Sequence, residues 1–373
     1  VDESMDTEQM KQPAQPWEFR SKPAWQRLII MLGGVFVNFV LGIFIYIMLM
    51  YSYGEQYLPN DNLTDGVWVQ DSLALNLGLQ TGDKILTVDG KKIKKFANLS
   101  LEFINGNDFE IERNGEVLQK EIPTDFIAQL MERGKDAGPF LYPRYPFVIG
   151  QISEDSPNTE SALETRDILT SINGTSIKYY DEAKNILNKY KGQEITATVL
   201  RNNSVKEVNL QVTEKGALGV VFTTVPLTDL EKLGYYDLAN IKYSFVEAIP
   251  AGFNKSWKTL TDYVKQLKKI FNPSTGAYKG LGGFISIGSI FPDEWSAVSF
   301  WNITAFLSIM LGFMNLLPIP ALDGGHVVFT LWEMITGKKP GDKFLEYAQL
   351  VGFVLLIALL LFANGNDLFR LLK

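Results

Sequence analysis

The chain contains no cysteine and only one histidine in 373 residues. The first absence excludes disulfides, thiolate-bound zinc and a thiol nucleophile, and leaves the redox compartment open. The second means that no pair of imidazoles is present to hold a metal, since His326 stands alone. Basic clusters with interleaved aromatics are also missing, and with a formal net charge of -7 this argues against a nucleic-acid partner. Hydrophobic residues make up 46%, an ordinary share for a soluble chain. That average conceals segregation: long uncharged apolar runs lie toward both ends, and the middle is polar and charged. This is the pattern of a membrane protein with a soluble insert, and the length allows two or three domains.

Residues 1–27 are polar, with Pro13, Pro16, Arg20, Lys22, Pro23 and Arg27, and read as a cytoplasmic or membrane-edge loop. Residues 28–52 are apolar apart from Asn38 and long enough to span a bilayer. The basic residues before this span, against Glu55 and Asp61 after it, put its start in the cytoplasm. Gly33, Gly34 and Gly42 allow another helix to approach closely. Asn38 fits either an interhelical hydrogen bond or a place beside an active site.

An internal repeat fills the middle. Leu77-Gly-Leu-Gln-Thr-Gly-Asp-Lys-Ile-Leu-Thr-Val-Asp-Gly90 and Ala162-Leu-Glu-Thr-Arg-Asp-Ile-Leu-Thr-Ser-Ile-Asn-Gly174 share an Asp, an apolar strand and an Asp/Asn-Gly turn. Strand-like segments come after each copy, at Phe109–Arg113 and Glu116–Ile122 and at Glu194–Arg201 and Lys206–Val212, joined by Asn114-Gly115 and Asn202-Asn203. Both copies resemble bacterial PDZ domains, whose groove takes a peptide as an added strand. The resemblance implies domains at 60–125 and 146–214, with groove edges in Val67–Ala74 and Phe147–Asp155. Domains of this kind also serve as spacers or filters with empty grooves.

Residues 243–271 carry apolar and aromatic side chains at helical spacing, with Lys255, Lys258, Lys265, Lys268 and Lys269 between them. A basic amphipathic helix with Trp and Tyr lies on a membrane surface, or else packs on the repeat domains. Residues 280–291 are Gly-rich and read as a flexible membrane-edge loop. A second span covers 296–322, with Lys338, Lys339 and Lys343 beyond it, so it ends in the cytoplasm. A third, 347–363, returns outward, which leaves both repeat domains outside the cytoplasm.

The second span runs into Asn315-Leu-Leu-Pro-Ile-Pro-Ala-Leu-Asp-Gly-Gly-His326. Two prolines remove backbone donors and two glycines loosen the chain after them, at a depth where backbone should be helical. Irregular backbone and an ionisable Asp323 are tolerated in a bilayer only against protein or a water-filled cavity, which marks a functional site.

These residues resemble the second metal-site motif of the site-2 proteases, zinc enzymes that cut helices within the membrane. The resemblance rests on Asn315, Pro318, Pro320, Leu322, Asp323, Gly324 and Gly325. It implies that Asp323 is a ligand of Zn2+ and that Asn315 positions the substrate backbone or a developing oxyanion. Pro318, Pro320, Gly324 and Gly325 support the motif. Two histidines and the general base, a Glu, would come from a His-Glu-x-x-His helix that is not in this sequence and is expected upstream. His326 is not required by the motif and takes a packing or hydrogen-bonding role. Gly34-Val-Phe-Val-Asn38 matches a further family motif except that Val35 replaces a proline.

The fold class expected is a multi-pass α-helical membrane protein, with three visible spans, a fourth implied upstream, and two inserted PDZ domains of mixed β/α fold. The resemblance implies a metalloendopeptidase of a bacterial inner membrane, its PDZ pair periplasmic, acting on transmembrane segments such as those of membrane-anchored anti-sigma factors or leftover signal peptides. The other partner is the lipid bilayer. The competing readings are an inactive membrane-anchored tandem-PDZ adaptor, and an aspartyl intramembrane protease, which would need a second membrane aspartate beside Asp323.

Overall fold

The computed structural model describes residues 15–133, 138–292 and 294–372, so the expected loop at 1–27 lies outside the described residues as far as residue 14. In chain order the main elements are α1 (Ala24–Tyr53); β1 (Val67–Trp68), β2 (Lys84–Val88), α2 (Leu99–Asn105), β3 (Asp108–Arg113), β4 (Glu116–Glu121) and β5 (Tyr142–Pro143); β6 (Phe147–Ile152), β7 (Ile168–Ile172), α3 (Tyr180–Leu187), β8 (Glu194–Arg201), β9 (Ser204–Gln211) and β10 (Val220–Phe222); then α4 (Phe245–Ile270), α5 (Ala297–Leu316), α6 (Asp323–Thr336) and α7 (Asp342–Leu371). They form two compact units, one of Val1–Glu55 with Ile241–Lys373 and one of Gln56–Asn240.

In the helical unit, α1, α5 and most of α7 are long and apolar enough to cross a membrane. Thirty residues of helix, the length of both α1 and α7, give about 45 Å, more than a hydrocarbon core. The expected spans 28–52 and 347–363 therefore lie inside longer helices. The expected span 296–322 is corrected: the helix stops at Leu316, because Pro318 forces Leu317 to extended backbone (φ -61, ψ 141), and helix resumes only at Asp323.

Small residues set the helix contacts. A Cβ at Gly42 would sit 2.5 Å from Ile309 and 3.0 Å from the Ala305 carbonyl, so α1 and α5 touch backbone to side chain there. The Ser308 hydroxyl donates to the Asn38 carbonyl at 2.8 Å. It is thus the backbone of Asn38, not its amide side chain, that bonds across helices. Along α4, Ala248, Gly252 and Ser256 are buried, and a Cβ at Gly252 would come 2.6 Å from the backbone of Ile47. Tyr263 of α4 meets the rings of Phe306 and Phe313 on α5. Residues 243–271, expected on a membrane surface, thus bury one face against α1 and α5. Their stripe of small residues at i, i+4, i+8 is sealed against α1 and α5, while Phe245, Val246, Ile249, Phe253 and Trp257 remain exposed.

The other unit holds two similar domains. In the first, β3 lies between β2 and β4; in the second, the strand order is β9-β8-β7-β6-β10. The repeated Asp has the same task in both. Asp83 (1% exposed) takes two bonds from Arg113, and Asp167 (0%) takes two from Arg201, each bidentate at 2.6–2.7 Å. Asp89-Gly90, Asn114-Gly115, Asn173-Gly174 and Asn202-Asn203 all have positive φ at both residues, as two-residue hairpin turns require.

The expected domain ends at 125 and 214 fall short. Phe126, Phe140, Leu141, Leu230 and Tyr236 belong to the first core, and Leu218 to the second. The groove edges are also corrected. β1 is covered by β5 and β6 by β10, so the open edges belong to these returning strands and not to Val67–Ala74 or Phe147–Asp155.

The two domains are clamped together. Asp65 accepts from Lys178 Nζ and from the Tyr179 hydroxyl, both at 2.6 Å, while Arg144 binds Asp181 and Glu182 and lies 4.1 Å above the Tyr179 ring. The hydrogen bonds from Lys178 and Tyr179 hold the Asp65 carboxyl below its ordinary range, against the opposing effect of burial. A depressed carboxylate pKa adds stability above the unfolded value, about 3.9, and loses it as pH falls through the lower folded value. Asp65→Asn is therefore expected to lower the unfolding free energy at neutral pH by at most about 1 kcal/mol, given partial exposure, with the difference from wild type shrinking as pH falls below the ordinary carboxylate range. Thermal melts across pH 3–8 measure this; a difference that does not change with pH would contradict it.

Candidate active site

α5 delivers Asn315 in its last turn, and α6 begins with Asp323 as its first helical residue. Between them the chain turns tightly: Ile319 N–H donates to the Leu317 carbonyl at 2.7 Å and Leu322 N–H to that of Ile319 at 3.0 Å. Ala321 has φ 78, in the left-handed region that costs a residue with a Cβ about 1 kcal/mol or more. Such a conformation persists only if its surroundings hold it.

Three glycines do so. A Cβ at Gly324 would lie 2.2 Å from the Leu317 carbonyl oxygen, one at Gly325 2.5 Å from that of Ile319, and one at Gly352 1.7 Å from that of Pro320. The first turn of α6 and the middle of α7 thus close directly on the backbone of the break, and no side chain fits between. One end of the unit is tied by Arg27, whose guanidinium bonds Glu333 near the end of α6 at 2.6 Å. The start of α1 and the end of α6 therefore lie on one side, as expected from Arg20, Lys22, Lys338 and Lys339.

Asn315 and Asp323 are both half-buried, and neither side chain has a hydrogen-bond or ion-pair partner among the described residues. His326 meets Phe329 edge-on, and its ring makes no hydrogen bond among the described residues. No group of three or more His, Cys, Asp or Glu is placed to hold a metal among the described residues. Asp323 offers one ligand, and one carboxylate does not make a zinc site.

The Gly-rich stretch 280–291 is not a free loop. Asp367, 3% exposed on α7, accepts from Gly283 N–H at 2.9 Å and Ser286 N–H at 3.0 Å, and from the Ser286 hydroxyl. It caps the short helix Phe284–Gly288 from another element. Asp367 lies beyond the expected span 347–363, near the end of a helix long and apolar enough to cross a membrane. With both oxygens engaged by the short helix, it does not form an aspartyl pair. Sequence reasoning missed Asp367 because the apolar run was ended at Ala363, and missed Gly352 altogether. A glycine or an ionisable residue inside a membrane helix was the available signal for each.

The model of peptidase family M50 matches residues 2–359. The chain belongs to peptidase family M50. Its members are membrane-embedded zinc metalloendopeptidases of the site-2 protease class. The M50 chain is 26% identical over 377 residues to a regulator of sigma E protease from Haemophilus influenzae, covering 95% of this chain and 80% of that protein. It is 24% identical over 379 residues to the regulator of sigma-E protease RseP of Salmonella typhimurium, with 95% and 80% covered. To the metalloprotease MmpA of Caulobacter vibrioides it is 26% identical over 360 residues, with 94% and 70% covered.

Because Gly352 of this M50 peptidase touches the Pro320 carbonyl, Gly352→Ala must displace α7 or the break. The expected cost is about 1–3 kcal/mol. Gly365→Ala, on the same helix with nothing within 4 Å, should be neutral. Unfolding temperatures in detergent for the two variants check this, and equal effects would contradict the close-contact account.

Proposed function

We propose that this chain cuts transmembrane segments of single-pass membrane proteins from a bacterial inner membrane, with Asp323 as one zinc ligand and Asn315 binding the substrate backbone or oxyanion. The observation that supports this best is the pair of partnerless polar side chains flanking a strained break in a membrane helix, where an unsatisfied group otherwise costs several kcal/mol. Pro318, Pro320, Gly324 and Gly325 keep that break rigid. The sequence holds no His-Glu-x-x-His motif to supply the other two ligands and the general base. The substrate class is the one that kinship with sigma-E regulators suggests: proteins such as membrane-anchored anti-sigma factors, and signal-peptide remnants of the same helical form.

Asp323→Asn keeps the shape and weakens a metal ligand. In the intact protein it should reduce cleavage of a model transmembrane substrate by at least about a hundredfold, without changing expression or unfolding temperature. Full cleavage by the variant would sink the assignment.

In this reading the Gln56–Asn240 unit comprises two periplasmic PDZ domains that work as a size filter. It enters the chain between α1 and α4, and its two domains are locked by Asp65 and Arg144 into one bulk. A substrate with a large outer domain collides with it, and a trimmed one passes. Because the cores extend to Tyr236, a clean test replaces residues 58–238 by a Gly/Ser linker. The shortened enzyme is expected to cleave untrimmed substrates as well as trimmed ones. Continued protection of untrimmed substrates would show that the filter lies elsewhere.

A further inference from the structure

β10 is the terminal strand of the second domain's sheet, and α3 meets it at its N-terminal end: Tyr180, the first residue of α3, stacks on Phe222 of β10 with ring centroids 4.4 Å apart. The trough between such an edge strand and its helix is where an extended peptide adds as a further strand. At this end of the trough sits a side chain from the other domain. The indole of Trp68 lies 5.5 Å from the Tyr180 ring and 6.1 Å from that of Phe222, and is only 9% exposed. Tyr142 backs it at 6.0 Å.

The indole is held there from several sides. Its strand β1 pairs with β5, Trp68 opposite Tyr142. Asp65 bonds Lys178 and Tyr179, the residues just before α3, and Arg144, just after β5, bonds Asp181 and Glu182 in the first turn of α3. The Tyr236 hydroxyl in turn donates to the Arg144 carbonyl at 2.8 Å. These contacts between the first domain and the second converge on the N-terminus of the helix that borders the groove.

We infer that Trp68 is a built-in stopper of the second domain's peptide groove. While the two domains are clamped, a peptide entering along β10 meets the indole at Tyr180 and Phe222 and cannot extend. The groove becomes usable only when the domains separate, and the site then vacated favours a peptide with a large apolar side chain at the position of the indole. Trp68 rather than a missing ligand motif makes the pair a closed block. This inference does not depend on the protease reading.

The test uses the full chain in detergent micelles and an array of hexapeptides with free C-termini, randomised over their last three residues. Wild type should bind no peptide saturably, whereas Trp68→Ala should bind a subset at least tenfold more tightly, and adding Phe222→Asp should remove that gain. Arg144→Ala keeps the indole but loosens its clamp, and should give a smaller gain for the same peptides. If Trp68→Ala does not fold, the Arg144→Ala result decides. Binding by wild type equal to that of a folded Trp68→Ala, or no gain in whichever of the two variants folds, would overturn the stopper.

Discussion

The helical unit depends on one constraint, the close approach of backbone to backbone around the break between α5 and α6. Pro318 and Pro320 prevent helix, Ala321 is driven to φ 78, and the cost is met by packing that leaves no room for a Cβ at Gly324, Gly325 or Gly352. A loosely held break would let Asn315 and Asp323 find partners in each other or in nearby carbonyls. Held rigidly, both keep their bonding capacity free, which is the state a binding or ligating group requires. The same device recurs away from the site: Gly42 and Gly252 bring α5 and α4 onto α1, so the scaffold around the break is also built on contacts with no compressible side chain between them.

The soluble unit works by a different rule. Each domain is organised round a buried Asp–Arg pair at the head of its hairpin, and such pairs specify one arrangement, since removing either partner strands a buried charge. Between the domains the bonds of Asp65 and Arg144 and the aromatic group of Trp68, Tyr142, Tyr180 and Phe222 act together. The helical unit is thus fixed by shape and the soluble unit by paired charge and rings. M50 membership brings the zinc-dependent chemistry, and the break is where we propose that this chain's own residues meet it.

Much of this was legible in the residues. Apolar runs marked the spans, Asp-Gly and Asn-Gly marked the turns, and the two copies of the Asp motif marked the repeat, because each is a local signal with a local physical cause. The Pro-x-Pro motif pointed to Asp323 and Asn315, which the structure leaves without partners among the described residues. The parts that were not legible depend on distant pairing. β5 and β10 are strands of two or three residues that complete domains begun some 70 residues earlier, and so short a strand has no periodicity to detect. In α4 the aromatic and lysine residues dominate the pattern, and the buried stripe of Ala248, Gly252 and Ser256 is visible only against Ile47. Asp367 lies past the expected end of the third span, and the backbone donors that it accepts from, at Gly283 and Ser286, are some 80 residues away.

The central claim is that the break presents Asp323 to a metal. The absence of cysteine makes it directly measurable, because Asp323→Cys would introduce the only thiol in the chain. Intact protein carrying that change and loaded with cobalt(II) in place of zinc should show a thiolate-to-cobalt charge-transfer band in the near ultraviolet, and Asn315→Cys should show none. A band absent from the first protein, or equal in both, would contradict the account.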